Sequence, residues 1–270
     1  MQIGNRNFEI GKHTYVMGIL NVTPDSFSDG GRYDSIDAAL FRVAEMIKQG
    51  ADIIDVGGES TRPGYEQITV TEEIERVVPV VEQIKERFDI PVSLDTYKAA
   101  VAQAGIKAGA DLINDIRGLK GDAGMGNLIA DSGVSCCFMH NRREEGYNDF
   151  LRDVLSDLEE SLTIASAAGI AREKIILDPG IGFAKNYEQN LFLLQQLQSL
   201  HSFGCPLLLG ASRKSVIGLT LDLPADQRIN GTLATTVMAV MKGISFVRVH
   251  DIKENAEVIK MTEAILQAGL

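Results

Sequence analysis

The sequence predicts an α/β protein built as one (β/α)8 barrel, a TIM barrel, that spans residues 1–270 as a single domain. Eight short apolar runs recur along the chain without apolar/polar alternation, which is typical of parallel strands covered on both faces. Stretches with helical spacing separate the runs, and eight strand–helix units of about 34 residues use up the whole chain. The runs begin at Tyr15, Asp52, Pro91, Asp111, Val134, Lys174, Pro206 and Ser245.

The helical stretches contain few breaking residues, and most of them end in a glycine just before the next apolar run. Glycine at that place favours the left-handed conformation that closes a helix. The closing glycines are Gly50, Gly109, Gly133, Gly169, Gly204 and Gly243. The predicted helices cover residues 35–49, 71–87, 98–107, 148–168, 188–203, 226–242 and 253–267.

A doubly wound open sheet is the main alternative for this alternation. It is disfavoured because no G-x-G-x-x-G follows the first strand and because GASRKS lacks the spacing of a phosphate-binding P-loop. The composition, with 45% hydrophobic and 23% charged residues, excludes collagen-like, low-complexity and disordered proteins.

Charge and cysteine content bear on partners and compartment. Acidic residues number 37 against 26 basic ones, and a net charge of −11 argues against a nucleic-acid partner. No run approaches the roughly 18 apolar residues that a membrane span needs. The three cysteines form no C-x-x-C pair, and their odd number argues against a disulfide framework. We therefore expect a soluble protein of the cytoplasm.

Polar residues close the predicted strands, and the carboxyl ends of barrel strands are where active sites lie. Turns and helix N-caps also favour Asp, Asn and Ser, which would explain any one of these positions. That explanation does not account for their distribution, because carboxylates and amides close the first six strands whereas Arg, Lys and His follow the last two. We therefore predict a hydrogen-bonding pocket for a polar heterocycle beside an anion pocket. The closing residues are Asn21, Asp55, Asp95, Asn114, Asp115, His140, Asp178, Ser212, Arg213, Lys214, Arg248 and His250.

Two long loops with prolines and glycines, residues 21–35 and 57–69, are candidates for lids over this pocket. Phe27 stands at the tip of the first loop, where it either folds back onto the barrel rim or packs against a ligand.

Several motifs together resemble the dihydropteroate synthase family of the bacterial folate pathway. They are ILNVTPDSFSDGG, GGESTRPG, LDT, LINDI, MH, LDPGIGF, GASRKS and RVHD, and they cover the chain from residue 16 to 251 in this order. The resemblance implies a transferase, usually a homodimer, that joins 4-aminobenzoate to (7,8-dihydropterin-6-yl)methyl diphosphate with Mg²⁺ and releases diphosphate. It also implies a sulfonamide target.

The resemblance assigns a role to residues in each motif. The residues implied for pterin binding are Asp95, Asn114, Met139, Asp178, Phe183 and Lys214. Those implied for diphosphate are Asn21, Thr61, Arg62, Arg248 and His250, with Asn21 also holding the metal. Those implied for aminobenzoate are Phe27, Thr61, Pro63, Phe183 and Ser215, with Ser28 and Asp29 as weaker assignments.

In this family the C–O bond to diphosphate is thought to break before the amine attacks, so the protein must stabilise a leaving group and a cationic ring. The residues implied for catalysis are Asp95, Arg62, Lys214, Arg248 and His250. Mg²⁺ takes oxygen ligands and keeps several waters, so one amide oxygen plus diphosphate oxygens is an acceptable sphere. No covalent nucleophile is needed, and the cysteines are expected in the core.

Two other functions stay open at this point. A methyltetrahydrofolate-dependent methyltransferase would share the pterin contacts but would not need GESTRPG, SRK and R-x-H. A pterin-binding protein without catalysis would have lost metal or diphosphate residues, and no such loss is visible. The resemblance also suggests helices 226–242 and 253–267 as the dimer face, while NRREEGYNDF after His140 departs from the usual family loop.

Overall fold

The computed structural model of the chain describes residues 1–22, 32–59, 67–142 and 146–269. Eight parallel strands surround one axis, and a parallel bridge between Leu177 and Leu207 joins the two edges of the sheet. The predicted (β/α)8 barrel is confirmed. The strands are β3 (Tyr15–Asn21), β4 (Ile53–Gly57), β5 (Val92–Asp95), β6 (Leu112–Asp115), β7 (Ser135–Met139), β8 (Ile175–Asp178), β9 (Leu208–Leu209) and β10 (Phe246–Val249). Around the barrel they are ordered β8-β7-β6-β5-β4-β3-β10-β9.

Helices form the outer layer and bury their apolar faces against the strands. They are α1 (Arg32–Gln49), α2 (Val70–Arg87), α3 (Ala99–Lys107), α4 (Met125–Ser132), α5 (Phe150–Ala168), α6 (Tyr187–Gln195), α7 (Ser215–Leu221), α8 (Ile229–Met241) and α9 (Ile252–Gln267). All six glycines predicted to close helices have positive φ, between 66° and 107°. None of the helices within the described ranges is long and apolar enough to cross a membrane.

The helix predicted over residues 188–203 is two elements. The α-helix ends at Gln195, and the chain continues as a 3₁₀ helix over Leu197–Phe203. Leu197, Leu200 and Phe203 are buried. A spacing of three keeps such residues in line along a 3₁₀ helix, whereas along an α-helix the row drifts by about 60° at each step. The helix predicted over 226–242 begins later, at Ile229, after a 3₁₀ turn over Ala225–Gln227.

A hairpin that the sequence did not predict closes the amino-terminal end of the barrel. Its two-residue strands, β1 (Gln2–Ile3) and β2 (Arg6–Asn7), pair antiparallel, and the Ser135 hydroxyl at the start of β7 donates to the carbonyl of Gln2 over 2.9 Å. Ile3 and Phe8 are fully buried against inward-facing strand residues. The open end of the barrel is therefore the carboxyl end of the strands.

The three cysteines are buried and free, as predicted. Cys136 packs in the layer between strands and helices, whereas Cys137 packs inside the barrel with Met17 and Phe246. Burial raises the pKa of both strand thiols well above its usual range, so neither is a nucleophile at neutral pH.

Candidate active site

Most residues that close the strands lie together at the carboxyl end of the barrel. Asn21, Asp95, Met139 and Asp178 are the last residues of β3, β5, β7 and β8, and Asn114 is the penultimate residue of β6. Parallel strands place their carboxyl ends on one rim, so spacing along the sequence becomes proximity in space.

Three charged side chains form an inner cluster at this end: Asp55 of β4, Asp95 of β5 and Arg248 of β10. Arg248 Nε donates to Asp55 Oδ2 and Arg248 Nη2 donates to Asp95 Oδ2, each over 2.6 Å. The side chains of Asp55, Asp95 and Arg248 are 0%, 8% and 18% exposed. Burial raises the pKa of the Asp95 carboxyl to about 7, against the opposing effect of Arg248. The cluster therefore carries two carboxyl groups for one cation.

Further polar groups fix Asp55. The Ser93 hydroxyl donates to Asp55 Oδ1 over 2.5 Å, and the Asn114 amide approaches Asp55 Oδ2 at 3.5 Å, the outer limit of a hydrogen bond. Ser93 and Asn114 are both buried. The carboxylate of Asp55 thus holds Arg248 from inside the barrel, while Asp95 lies at the rim of the pocket.

Asp178 and Lys214 form the opposite side of the pocket. Asp178 Oδ1 accepts the backbone N–H of Gly180 over 2.7 Å, and burial raises the pKa of this carboxyl. Burial lowers the pKa of Lys214 to about 8, while Asp178 acts in the other direction. The Lys214 ammonium donates to the carbonyl of Ile181 and lies 4.7 Å from the centroid of the Phe183 ring.

Behind this side lies an outer cluster of Asp157 in α5, His140 after β7 and Lys185 in the loop between β8 and α6. The Lys185 ammonium lies 2.8 Å from His140 Nδ1, and His140 Nε2 lies 2.9 Å from Asp157 Oδ2. Because an ammonium can only donate, Nδ1 accepts and the ring proton is on Nε2, which donates to Asp157. Burial lowers the pKa of His140 to about 4, so the imidazole between the two charges is neutral.

The base of the second long loop is fixed by a partly buried lysine. Lys98 donates to Glu59, to Glu73 and to the carbonyl of Ile68 over 2.7, 2.7 and 2.8 Å. Glu59 also accepts the backbone N–H of Ile68 over 3.1 Å and the Tyr97 hydroxyl over 2.8 Å. The two ends of the segment between residues 59 and 68 are therefore joined directly, next to the rim of the barrel.

The remaining predicted residues differ in where they lie. The His250 ring lies 3.0 Å from the Ser212 hydroxyl, and Ser215 is exposed as the first residue of α7. Arg213, which the sequence placed with the anion pocket, instead forms an ion pair with Asp251. The predicted residues Phe27, Ser28, Asp29, Thr61, Arg62 and Pro63 lie outside the described residues.

The oxygen donors near Gly57 suit the Mg²⁺ that the family resemblance implies. A Cβ built on Gly57 would lie 3.7 Å from Asn21 Oδ1 and 3.8 Å from Asp95 Oδ2, so the missing side chain leaves space between an amide oxygen and a carboxylate. Mg²⁺ prefers such hard oxygen ligands and keeps several waters. Among the described residues, no group of three or more His, Cys, Asp or Glu side chains could hold a metal. A sphere completed by substrate oxygens and water therefore fits this donor set.

Sequence reasoning missed Asp157, Lys185 and Tyr147. Tyr147 belongs to the segment after His140 that departs from the family loop, and its hydroxyl donates to the carbonyl of Ala184 over 2.8 Å. Arg142 lies 4.5 Å from the Tyr147 ring centroid and donates to Asp157. The available signal for Lys185 was its place in the glycine-rich loop that follows β8.

Comparisons with known proteins agree with this geometry. The sequence profile described as "Pterin binding enzyme" matches residues 17–250. The dihydropteroate synthase of Clostridium beijerinckii is 58% identical over 268 residues, which cover 99% of this chain and 100% of that protein. This result does not support the methyltransferase alternative.

Two solved structures have the same fold over nearly their full length. The dihydropteroate synthase of Clostridium difficile, solved in the presence of pteroic acid, has a TM-score of 0.94 and 46% identity, covering 97% of this chain and 100% of that one. The enzyme of Yersinia pestis with a sulfonamide drug has a TM-score of 0.93 and 44% identity, covering 99% of both chains. Fold, site and sequence agree, and the chain belongs to the dihydropteroate synthases, within the family of pterin binding enzymes.

Proposed function

We propose that this dihydropteroate synthase joins its substrates by a dissociative substitution. In this scheme, the bond between the pterin methylene carbon and the diphosphate oxygen breaks first, and its electron pair leaves with diphosphate. The arylamine of 4-aminobenzoate then bonds to the methylene carbon and loses a proton, giving 7,8-dihydropteroate. The observation that carries the proposal is the inner cluster, in which two buried carboxyl groups share one guanidinium at the mouth of the barrel.

Pterin recognition is assigned to Asp178, Asn114 and Lys214. The amino group and ring N–H of a pterin form a fork of donors that one carboxylate accepts in bidentate fashion. Asp178 supports this role because it is buried with one oxygen bonded to Gly180, which fixes the carboxylate plane. Asn114 both donates and accepts, and the Lys214 ammonium serves the N5 and O4 side of the ring. The apolar side chain of Met139, 3% exposed, packs at the same rim.

The cationic ring left by C–O cleavage needs negative charge close by. Asp95 supplies it from the inner cluster, where only one cation faces two carboxyl groups. A preorganised charge in a buried site stabilises a transition state without paying for solvent reorganisation. No residue has to act as a nucleophile, because the amine attacks a carbocation.

The departing diphosphate is assigned to Arg248, His250 and Asn21, with Arg62 and Thr61 from the second loop. Arg248 has five N–H donors, and the two carboxylates take up only Nε and one N–H of Nη2. When Mg²⁺ is bound, it supplies charge neutralisation of the diphosphate, with Asn21 Oδ1 as its protein ligand. Asn21 is exposed at the end of β3 and so can meet a ligand from solvent.

Aminobenzoate is assigned to a slot that includes Phe183, with Thr61, Pro63 and Phe27 from the two loops. Phe183 supports this assignment because its ring is partly buried beside the Lys214 ammonium at the pocket. The exposed hydroxyl of Ser215 at the start of α7 can anchor the carboxylate of aminobenzoate. A sulfonamide drug would compete for the same slot.

The test mixes purified protein with the pterin diphosphate, aminobenzoate and Mg²⁺, and follows diphosphate release. We expect release that requires aminobenzoate and that a chelator abolishes. The variant Asp178→Asn keeps the side-chain shape but removes the charge, and it should lose pterin binding. Absence of release above background from folded wild-type protein would overturn the proposed reaction.

We also propose a homodimer that works in the cytoplasm. Six of the eleven exposed large apolar side chains among the described residues lie on α7, α8 and α9, and such exposure is typical of an interface. They are Leu219, Leu221, Met241, Met261, Ile265 and Leu266, each between 44% and 67% exposed. Light scattering after gel filtration should give twice the chain mass, and Met261→Glu with Ile265→Glu should give the monomer mass. The free cysteines suit a reducing compartment, and fractionation of cells checks that assignment.

A further inference from the structure

The loop between β8 and α6, residues 179–186, has a backbone that needs external support. Gly180, Gly182 and Ala184 have φ of 70°, 83° and 49°, so three alternate residues lie in the left-handed region. That region is rarely occupied by a residue with a Cβ, which makes Ala184 an exception. This loop also carries Phe183, so whatever holds the loop also places the Phe183 ring.

Lys185 supplies much of that support through one ammonium group. Its Nζ donates to the carbonyls of Gly180 and Phe183 over 2.9 and 3.0 Å and to His140 Nδ1 over 2.8 Å. Burial lowers the pKa of Lys185 to about 7, with Asp178 opposing this effect. The charged form has three N–H donors, and these three acceptors use all of them. Lys185 therefore has no donor left for a ligand, in contrast to a residue that binds substrate.

The ammonium is itself held from the side away from the pocket. His140 accepts from Lys185 with Nδ1 and donates from Nε2 to Asp157, which also accepts from Arg142. His140 is 2% exposed, so its orientation is set by this chain of bonds and by packing. The neutral imidazole of His140 thus makes two favourable hydrogen bonds, one to the Asp157 carboxylate and one from the Lys185 ammonium.

The other lysine of the site contacts the same loop from the pocket side. Lys214 donates to the carbonyl of Ile181, and its Nζ lies 4.7 Å from the Phe183 ring centroid. Phe183 thus contacts both lysines, Lys214 through its ring and Lys185 through its backbone carbonyl.

We propose that Lys185 is a positioning residue that, with His140 and Asp157, fixes the loop and so places Phe183 against aminobenzoate. This inference rests on the proposed function, since it takes Phe183 as part of the aminobenzoate slot. Asp95 and Asn114 stand on strands that Lys185 does not contact, and the backbone of Asp178 belongs to β8, although its Oδ1 also accepts the N–H of Gly180. The effect of losing Lys185 should therefore fall on aminobenzoate rather than on the pterin diphosphate.

The test measures steady-state kinetics of diphosphate release for Lys185→Met, which keeps the length of the side chain and removes its donors. We expect the KM for aminobenzoate to rise about tenfold, with kcat and the KM for pterin diphosphate changed less than about threefold. The reason is that the lost interaction stabilises bound aminobenzoate equally before and during the reaction. Lys107→Met, on an exposed lysine at the end of α3, is the matched control and should leave all constants unchanged.

Asp157→Asn provides a second variant in case Lys185→Met does not fold. The amide oxygen still accepts from His140, so the fold should persist. The negative charge that stabilises the outer cluster is lost. We expect the same KM to rise about threefold. An unchanged KM for aminobenzoate in both variants, or a rise confined to pterin diphosphate, would overturn the inference.

Phe183→Ala separates this inference from the proposed function. If wild-type protein releases no diphosphate, the proposed function fails. If wild type is active and Phe183→Ala raises the KM for aminobenzoate while Lys185→Met and Asp157→Asn do not, only the role of Lys185 fails.

Discussion

Two clusters of charged side chains lie at the same end of the barrel, and they use charge differently. In the inner cluster, Arg248 is shared by Asp55 and Asp95, and all three stand on strands. In the outer cluster, a neutral imidazole separates Asp157 from Lys185, which stands on a loop. The inner cluster has an excess of carboxyl groups at the pocket, whereas the donors of the outer cluster are taken up by the protein.

The difference indicates which charges react and which ones hold the structure. An excess of negative charge on rigid strands is suited to a ligand that becomes cationic. A chain of saturated hydrogen bonds is suited to holding a loop in a conformation that its backbone does not prefer. Variants of the two clusters should therefore differ in kind: the inner ones in turnover, the outer ones in loop placement.

The largest effect is expected from Arg248→Ala. It leaves Asp55 and Asp95 buried without a cation, so the free energy of unfolding should fall by about 3 kcal/mol. Turnover should fall by at least about 100-fold, more than pterin affinity, because the partner of Arg248 is the leaving group. Kinetics with a pterin-binding titration checks this, and Arg87→Ala on an exposed arginine of α2 is the control. An unchanged kcat would exclude the role.

The next largest effect is a loss of stability when the loop is displaced from the outer cluster. A Cβ on Gly180 would lie 2.0 Å from the carbonyl oxygen of His140, so Gly180→Ala must displace the loop from the outer cluster. We expect a loss of roughly 3 kcal/mol in the free energy of unfolding, measured by urea denaturation. Gly169→Ala is the matched control, because its φ is also positive at 86° but nothing lies within 4 Å of the added Cβ. That control should cost about 1 kcal/mol, and equal losses would contradict the steric argument.

A smaller effect is the pH dependence of activity that Asp95 and Lys214 should cause. The pKa of Asp95 is raised to about 7, so below that pH the carboxyl group is protonated and cannot stabilise a cation. The pKa of Lys214 is lowered to about 8, so above that pH the ammonium loses its charge. The kcat/KM for pterin diphosphate should therefore peak between these values and fall about tenfold per pH unit on either side. Asp95→Asn should lack the acid limb, and persistence of that limb would assign it to another group.

The smallest effect is expected from Tyr147→Phe, which removes the hydroxyl that donates to Ala184. A partly buried hydrogen bond of this kind contributes about 1 kcal/mol to the free energy of unfolding. Tyr187→Phe, whose exposed hydroxyl pairs with Thr220, should cost less and serves as the control. Thermal melting of both variants measures the difference, and a larger loss for Tyr187→Phe would show that Tyr147 does not support the loop.

The barrel could be predicted because its signals are local. Apolar runs without alternation identified the eight strands, and glycines such as Gly133 and Gly169 marked helix ends by a backbone preference. The hairpin could not be predicted, because two-residue strands have no periodicity and depend on Phe8 packing inside a barrel that forms elsewhere in the chain. The single-domain assignment stays a prediction.

The sequence predicted which residues form the site better than it predicted the contacts between them. Strand ends identified Asp95, Asn114 and Asp178, because the barrel brings those ends together. The sharing of Arg248 by two carboxylates joins residues 193 and 153 positions apart, which no local pattern encodes. Lys185 was missed for the same reason, since only the folded loop shows that its ammonium meets three acceptors.

The amino-terminal hairpin gives the barrel one mouth, and this has a consequence for the kinetics. Both substrates and the product have to pass the same rim, and the pterin contacts lie deeper than the exposed Ser215 at the start of α7. Aminobenzoate bound at Ser215 as proposed would cover the deeper pterin contacts, so we expect compulsory loading with pterin first. Dihydropteroate has to clear the mouth before another cycle begins, which makes the product a competitor of the first substrate rather than of the second.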